Sequence, residues 1–130
     1  GNISEEDFRA LLQAMEDLPR RVEKILTLND KIKFIAGKIQ VSNHALYLGR
    51  GLNFPIALEG ALKLKEISYV HAEGYPAGEM KHGPIALLEE GSPVIFIAPN
   101  DHVKKKTVSA IHECRARGAK IILIHEQVFI

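Results

Sequence analysis

Three uninterrupted apolar runs, separated by helical stretches, constrain the fold of this chain more than any other feature. The runs are "HALYLGRG" (44–51), "SPVIFIAPND" (92–101) and "KIILIH" (120–125). Between them lie "PIALEGALKLKEISYV", opened by Pro55, and "HVKKKTVSAIHECRAR", ended by Gly118. Proline suits the first turn of a helix, and glycine suits the residue just past its end. A strand buried on both faces reads as continuous apolar sequence, and strands joined by crossover helices run parallel. The pattern therefore predicts an α/β fold: a parallel sheet between helix layers, a three-layer sandwich. Doubly wound sheets usually have about five or six strands. Three strands in 130 residues predict a sheet truncated at its C-terminal end or completed from elsewhere.

The first 40 residues have a different texture. Ser4 is a predicted N-cap, with Glu5, Glu6 and Asp7 in the first turn. Phe8, Leu11, Leu12, Met15 and Leu18 then recur at helical spacing. Pro19 starts a second predicted helix, and Asn29 caps a third. Residues 1–40 thus read as a helical lead without chemistry of its own. Residues 41–130 read as the βαβαβ core that carries the site, and the whole as a single domain fragment.

Composition excludes several functions. Apolar residues are 46% and charged residues 25% of the chain, and the net charge is +1. No global field attracts nucleic acid or an acidic membrane. Lys104, Lys105 and Lys106 form the one basic run, best read as a solvated helix face. The single cysteine, Cys114, permits no internal disulfide, which fits a reducing compartment. It reads as a bystander thiol. No apolar run approaches the roughly 20 residues that span a bilayer, and the acidic start "GNISEEDF" does not resemble a signal peptide. The expectation is a cytoplasmic protein.

The helix after the first strand is unusual. At about 100° per residue, Glu59, Lys63 and Glu66 share a strip about 60° wide. Most other positions on it are apolar, which predicts a helix walled in by protein except along one line. One reading of the strip is a pair of ordinary i,i+4 and i,i+3 contacts. The other is a site. A partly desolvated glutamate beside an ammonium can take and return a proton, and the ammonium can stabilise an enediolate. The end of the first strand, "YLGRG", adds a place where ligands collect in parallel sheets, with free N–H groups at the start of the next helix.

The segment "HAEGYPAGEMKHGP" (71–84) reads as an ordered, turn-rich loop. His82, between Lys81 and Gly83-Pro84, suits general acid–base work or simply holds the loop by a hydrogen bond. His44, His102, His112 and His125 read as structural or exposed. Gly49-x-Gly51 lacks the third glycine of a dinucleotide fingerprint, because Phe54 stands there. No metal-binding spacing is present, so neither cofactor nor metal is expected.

At these residues the chain resembles a family. "YLGRG", "ALEGALKLKEISYVHAEGYPAGEMKHGP" and "PVIFIAPN" resemble the second sugar isomerase (SIS) domain of glutamine–fructose-6-phosphate aminotransferases, also called glucosamine-6-phosphate synthases. The resemblance implies the SIS fold and part of an enzyme that makes glucosamine 6-phosphate from fructose 6-phosphate and glutamine. It implies that Glu66 shuttles a proton between C1 and C2, that Lys63 assists at the enediolate, and that His82 serves sugar ring opening. Glu59 matches a further acidic position near the substrate. The resemblance also implies a homodimer in which His82 crosses to the neighbouring subunit's site, together with a first SIS domain and a glutaminase domain as partners. The family's phosphate-binding loops, imine-forming lysine and glutaminase cysteine are absent from these 130 residues. The chain alone is therefore expected to lack synthase activity. The alternative is a sugar-phosphate-sensing SIS module without turnover.

Overall fold

Helix α1 (Glu5–Glu16) begins where the sequence places its cap: Ser4 Oγ accepts the Asp7 N–H at 3.0 Å. It is followed by α2 (Leu18–Leu26), with proline in its first turn, and α3 (Asn29–Ile39). None of the three buries a residue. The computed structural model describes residues 3–126. They fall into two compact units, one reaching Lys38 and the other beginning at Ile39.

The second unit contains β1 (His44–Gly49), α4 (Asn53–Ser68), β2 (His71–Pro76), β3 (Pro93–Ile97), α5 (Lys104–Ala116) and β4 (Lys120–Ile124). Two 3-10 turns, Ala77–His82 and Pro84–Leu87, join β2 to β3. The sheet order is β2-β1-β3-β4, and all three pairings are parallel. The predicted strands are β1, β3 and β4, and the predicted helices are α4 and α5. Gly118, at φ 82°, follows α5 as the sequence requires.

One element differs from the sequence reading. Residues 71–76 are strand β2, not loop. They pair with β1 from His44↔His71 to Gly49↔Pro76. "HAEGYP" contains no β-branched residue, so its own propensity is against a strand. The β1 ladder supplies what propensity lacks, and an edge position tolerates a terminal proline.

Alternation along β1 divides the core in two. Leu46 and Leu48 face one side, with Val94, Phe96, Met80, Ala110 and Cys114. This is the α5 side, and the first 3-10 turn packs there too. Ala45 faces the other side with Ala61, Ala72 and Ile95, where α4 lies. Gly49 makes the β1–α4 turn: a Cβ there would lie 2.1 Å from the Asn53 carbonyl oxygen.

Candidate functional site

The three charged residues of α4 do meet. Lys63 Nζ donates to Glu66 Oε2 at 2.9 Å and lies 3.6 Å from Glu59 Oε1. The hydrogen bond to Glu66, then its charge and that of Glu59, hold the Lys63 ammonium above the ordinary lysine value. Spacing alone places them so: one helical turn separates each pair.

Their surroundings are not as expected. The sequence predicts a helix enclosed on all sides but the stripe. Instead, α4 buries only Asn53, Ala57 and Ala61. On a helical projection Ala57 and Ala61 lie about 160° from Glu59, so the stripe points directly away from this chain's sheet. The side chains of Glu59, Lys63 and Glu66 are all more than half exposed. Ile56, Leu62 and Ile67, which flank the stripe, are exposed as well, Ile67 at 79%. The apolar side chains inferred from composition are present beside the stripe, but among the described residues they remain exposed.

The stripe also runs away from the strand tips at which the sequence reading placed it. Helix α4 starts just beyond the carboxyl end of β1 and runs back, so Glu66 lies in its last turns, five residues before β2 begins at His71. The N–H groups at the start of α4 are not free either. Asn53 N–H donates to Arg50 O at 3.2 Å and Phe54 N–H to Gly51 O at 3.1 Å, closing a tight turn. Buried Asn53 then donates through Nδ2 to Asp101 Oδ2 at 2.8 Å. The tips of β1 and β3 are thus joined by a satisfied polar pair. Nothing in the spacing of "GRGLN" and "PND" announces this pairing, because it depends on two strand ends becoming neighbours.

His82 is exposed at the end of the first 3-10 turn. That turn packs through Ala77 and Met80 on the α5 side of the sheet, whereas Ala61 anchors α4 on the opposite side. Within one chain, the structure therefore does not bring His82 to Glu59, Lys63 and Glu66.

Other titratable groups have local explanations. Cys114 is fully buried, and burial pushes its thiol up to about 11, so it is no nucleophile at neutral pH. His44 Nε2 lies 3.1 Å from Ser92 Oγ, a structural contact. Along β2, Tyr75 Oη donates to Glu73 Oε2 at 2.5 Å and His71 Nε2 lies 3.3 Å from Glu73 Oε1. The Tyr75 hydrogen bond lowers the Glu73 carboxyl and raises the phenol. Among the described residues, no three histidine, cysteine or acidic side chains converge as metal ligands, and no helix is long and apolar enough to cross a membrane.

Comparison with known proteins agrees with this architecture. Residues 38–128 match the family described as SIS domain. A glutamine–fructose-6-phosphate aminotransferase (isomerizing) of Mesorhizobium japonicum is 56% identical over 124 residues, 95% of this chain and 20% of that protein. One of Chlorobaculum tepidum is 57% identical over 122 residues, 94% of this chain and 20% of that protein. The chain thus spans about a fifth of the length of the curated relatives it matches. Among solved structures, the C-terminal domain of glucosamine-fructose-6-phosphate aminotransferase from Francisella tularensis superposes with a TM-score of 0.91 at 42% identity. That match covers 95% of this chain and 35% of that one.

Proposed function

The chain belongs to the SIS domain family, and from that premise we propose that it is the sugar-isomerising part of a glutamine–fructose-6-phosphate aminotransferase. The observation that carries this reading is the Glu59–Lys63–Glu66 constellation on α4, with Lys63 hydrogen-bonded to Glu66 at 2.9 Å, in a chain 56% identical to such an enzyme.

The chemistry follows from the groups. Isomerising a 2-ketose derivative moves one hydrogen from C1 to C2. Glu66, as carboxylate, takes the C1 proton; the C–H electron pair becomes the C1–C2 double bond, and the C2 carbonyl π pair moves onto its oxygen. The proton of the C1 hydroxyl passes to the C2 oxygen, and as the C1 carbonyl forms the double-bond pair takes the proton back from Glu66 at C2. Lys63 offers its ammonium to the negative charge that develops on oxygen between the two steps. General acid–base transfer of this kind contributes about 10²- to 10⁴-fold. Glu59 shares Lys63 with Glu66 and adds, after Glu66, to the charge that favours its ammonium form.

The exposed flanks fit the same reading. Ile56, Leu62 and Ile67 surround the stripe, so a further protein surface laid on α4 would exclude water from Glu66 and strengthen its electrostatics. A first SIS domain of a longer chain is the surface we assign. The position of His82 on the opposite layer favours its service in a neighbouring subunit of a homodimer, where it would assist opening of the sugar ring. The fragment alone then lacks turnover. A sugar-phosphate sensor without turnover would have no use for the Glu66–Lys63 pair. Substrate and product are fructose 6-phosphate and glucosamine 6-phosphate, the setting is cytoplasmic, and no cofactor is invoked.

The test is Glu66→Gln in the full-length protein that contains this domain. Glutamine keeps the shape and loses the proton acceptor. Isomerisation should fall about 10²- to 10⁴-fold, with fructose 6-phosphate binding retained. Unchanged turnover overturns the assignment of the base.

A further inference from the structure

A second feature lies at the strand tips, where the α4 stripe does not reach. Arg50 follows the last residue of β1, and Ala77 follows the last residue of β2. Between the first 3-10 turn and α5 there is a cleft of about 230 Å³. Its floor is made of small residues, Ala77, Gly78 and Ala110. Its walls carry Arg50, Lys81 and Lys106, together with Ser109 and Glu113.

The charges in the cleft are unequally satisfied. Glu113 Oε1 accepts from Lys81 Nζ at 2.9 Å and from Ser109 Oγ at 3.2 Å. Lys81 and Ser109 are thereby held at one end. The side chains of Arg50 and Lys106 make no hydrogen bond or ion pair among the described residues. Three cations against one carboxylate leave an excess of two positive charges around a small space. Like charges so gathered repel, and an anion between them relieves the repulsion. Gly78 shapes the arrangement: a Cβ there would come within 3.2 Å of Arg50 Nη1, so its absence lets the guanidinium lie across the floor. The Arg50 guanidinium, the Lys106 ammonium and the N–H groups of Lys81 that Glu113 leaves over are the donors that recognise a tetrahedral oxyanion.

We infer that this cleft is a binding site for a phosphate-class oxyanion, distinct from the α4 stripe. Ligand pockets for larger molecules begin at about 300 Å³, so the cleft suits a small anion or the phosphate end of an ester. It also occupies the place where parallel sheets hold ligands, outside the carboxyl ends of the strands. The inference goes beyond the isomerase reading and does not depend on it.

The test uses the 130-residue chain, labelled for amide NMR, titrated with inorganic phosphate and, separately, with sodium chloride at matched ionic strength. Phosphate should give saturable shifts centred on Gly78, Ser109 and Ala110, with a dissociation constant on the order of millimolar. Chloride should not. Arg50→Gln combined with Lys106→Gln should weaken phosphate at least about tenfold, and the exposed single change Lys106→Gln guards against loss of fold. Glu66→Gln should leave phosphate binding unchanged whatever it does to isomerisation. Titration with fructose 6-phosphate separates the two sources of the anion: tighter binding than inorganic phosphate identifies an ester ligand, and equal binding identifies the phosphate group alone. Absent saturation, equal shifts with chloride, full binding by the double variant, or loss of binding in Glu66→Gln would each overturn the assignment.

Discussion

The two faces of the sheet are covered by one helix layer each, yet they are built differently. On the α5 face, large side chains interlock: Leu48, Met80, Val94, Phe96 and Cys114 are all fully buried. On the α4 face the buried residues are mostly alanine: Ala45, Ala61 and Ala72, with Ile95. Small residues let α4 approach closely. Gly60 allows the Tyr47 ring to lie 2.7 Å from where a Cβ would stand, and Gly74 does the same for the Leu58 backbone at 2.9 Å. The consequence is that α4 spends little of its apolar surface inward. Its larger residues, Ile56, Leu62 and Ile67, remain on the outside around the charged stripe. The α5 face holds most of the large buried side chains, and the α4 face leaves its larger apolar residues and the charged stripe outside.

The largest effect should come from Phe96→Ala, at about 3–5 kcal/mol in chemical denaturation, because the ring is wholly enclosed and leaves a cavity. Ile67→Ala, on the outer edge of α4, should cost about 0.5 kcal/mol or less. Equal losses at the two positions would erase the distinction between the faces.

Next is Gly60→Ala. The added methyl gains helix propensity but meets the Tyr47 ring, and overpacking of this kind costs about 1–3 kcal/mol. A stabilised protein would mean that α4 is free to lift from the sheet.

A smaller effect is expected in acid. The Tyr75 hydroxyl lowers the Glu73 carboxyl in the folded chain. Its contribution is therefore present above the ordinary glutamate pKa of about 4.3 and is lost as pH falls through the depressed folded value. Both groups are partly solvated, so the amount is well under about 1 kcal/mol after screening. Tyr75→Phe should flatten this limb of a stability–pH curve, and an unchanged limb would show that the hydrogen bond does not form.

Least of all, Glu66→Gln should not measurably shift the unfolding midpoint of this chain, because its carboxylate is solvated and its partner Lys63 lies on the same exposed face. A marked loss would mean that the stripe is structural, and would weaken the isomerase reading with it.

Much of the architecture was legible because it rests on local patterns. Ser4, Pro19 and Gly118 mark helix ends by mechanisms that act within one turn, whereas α4 begins two residues before Pro55. Val94 to Ile97 is continuously apolar because both faces of β3 are covered. Strand β2 escaped because its sequence is unsuited to a strand, and only the β1 ladder makes it one. The triad was legible as a spacing on α4, but its setting was not. The same periodicity describes a helix enclosed by its own domain and a helix whose apolar flanks stay exposed.

Local sequence was enough to mark β1, β3, β4 and the helices, to make those strands parallel, and to put Glu59, Lys63 and Glu66 on one line, since each of these depends on neighbours a few residues away; β2 was not among them. The tertiary structure decided which way that line faces, that His82 lies across the sheet from it, and that Arg50 meets Gly78 and α5 in a cleft. Those relations join residues distant in the chain, and their energies are set only when β1, β2 and α5 come together.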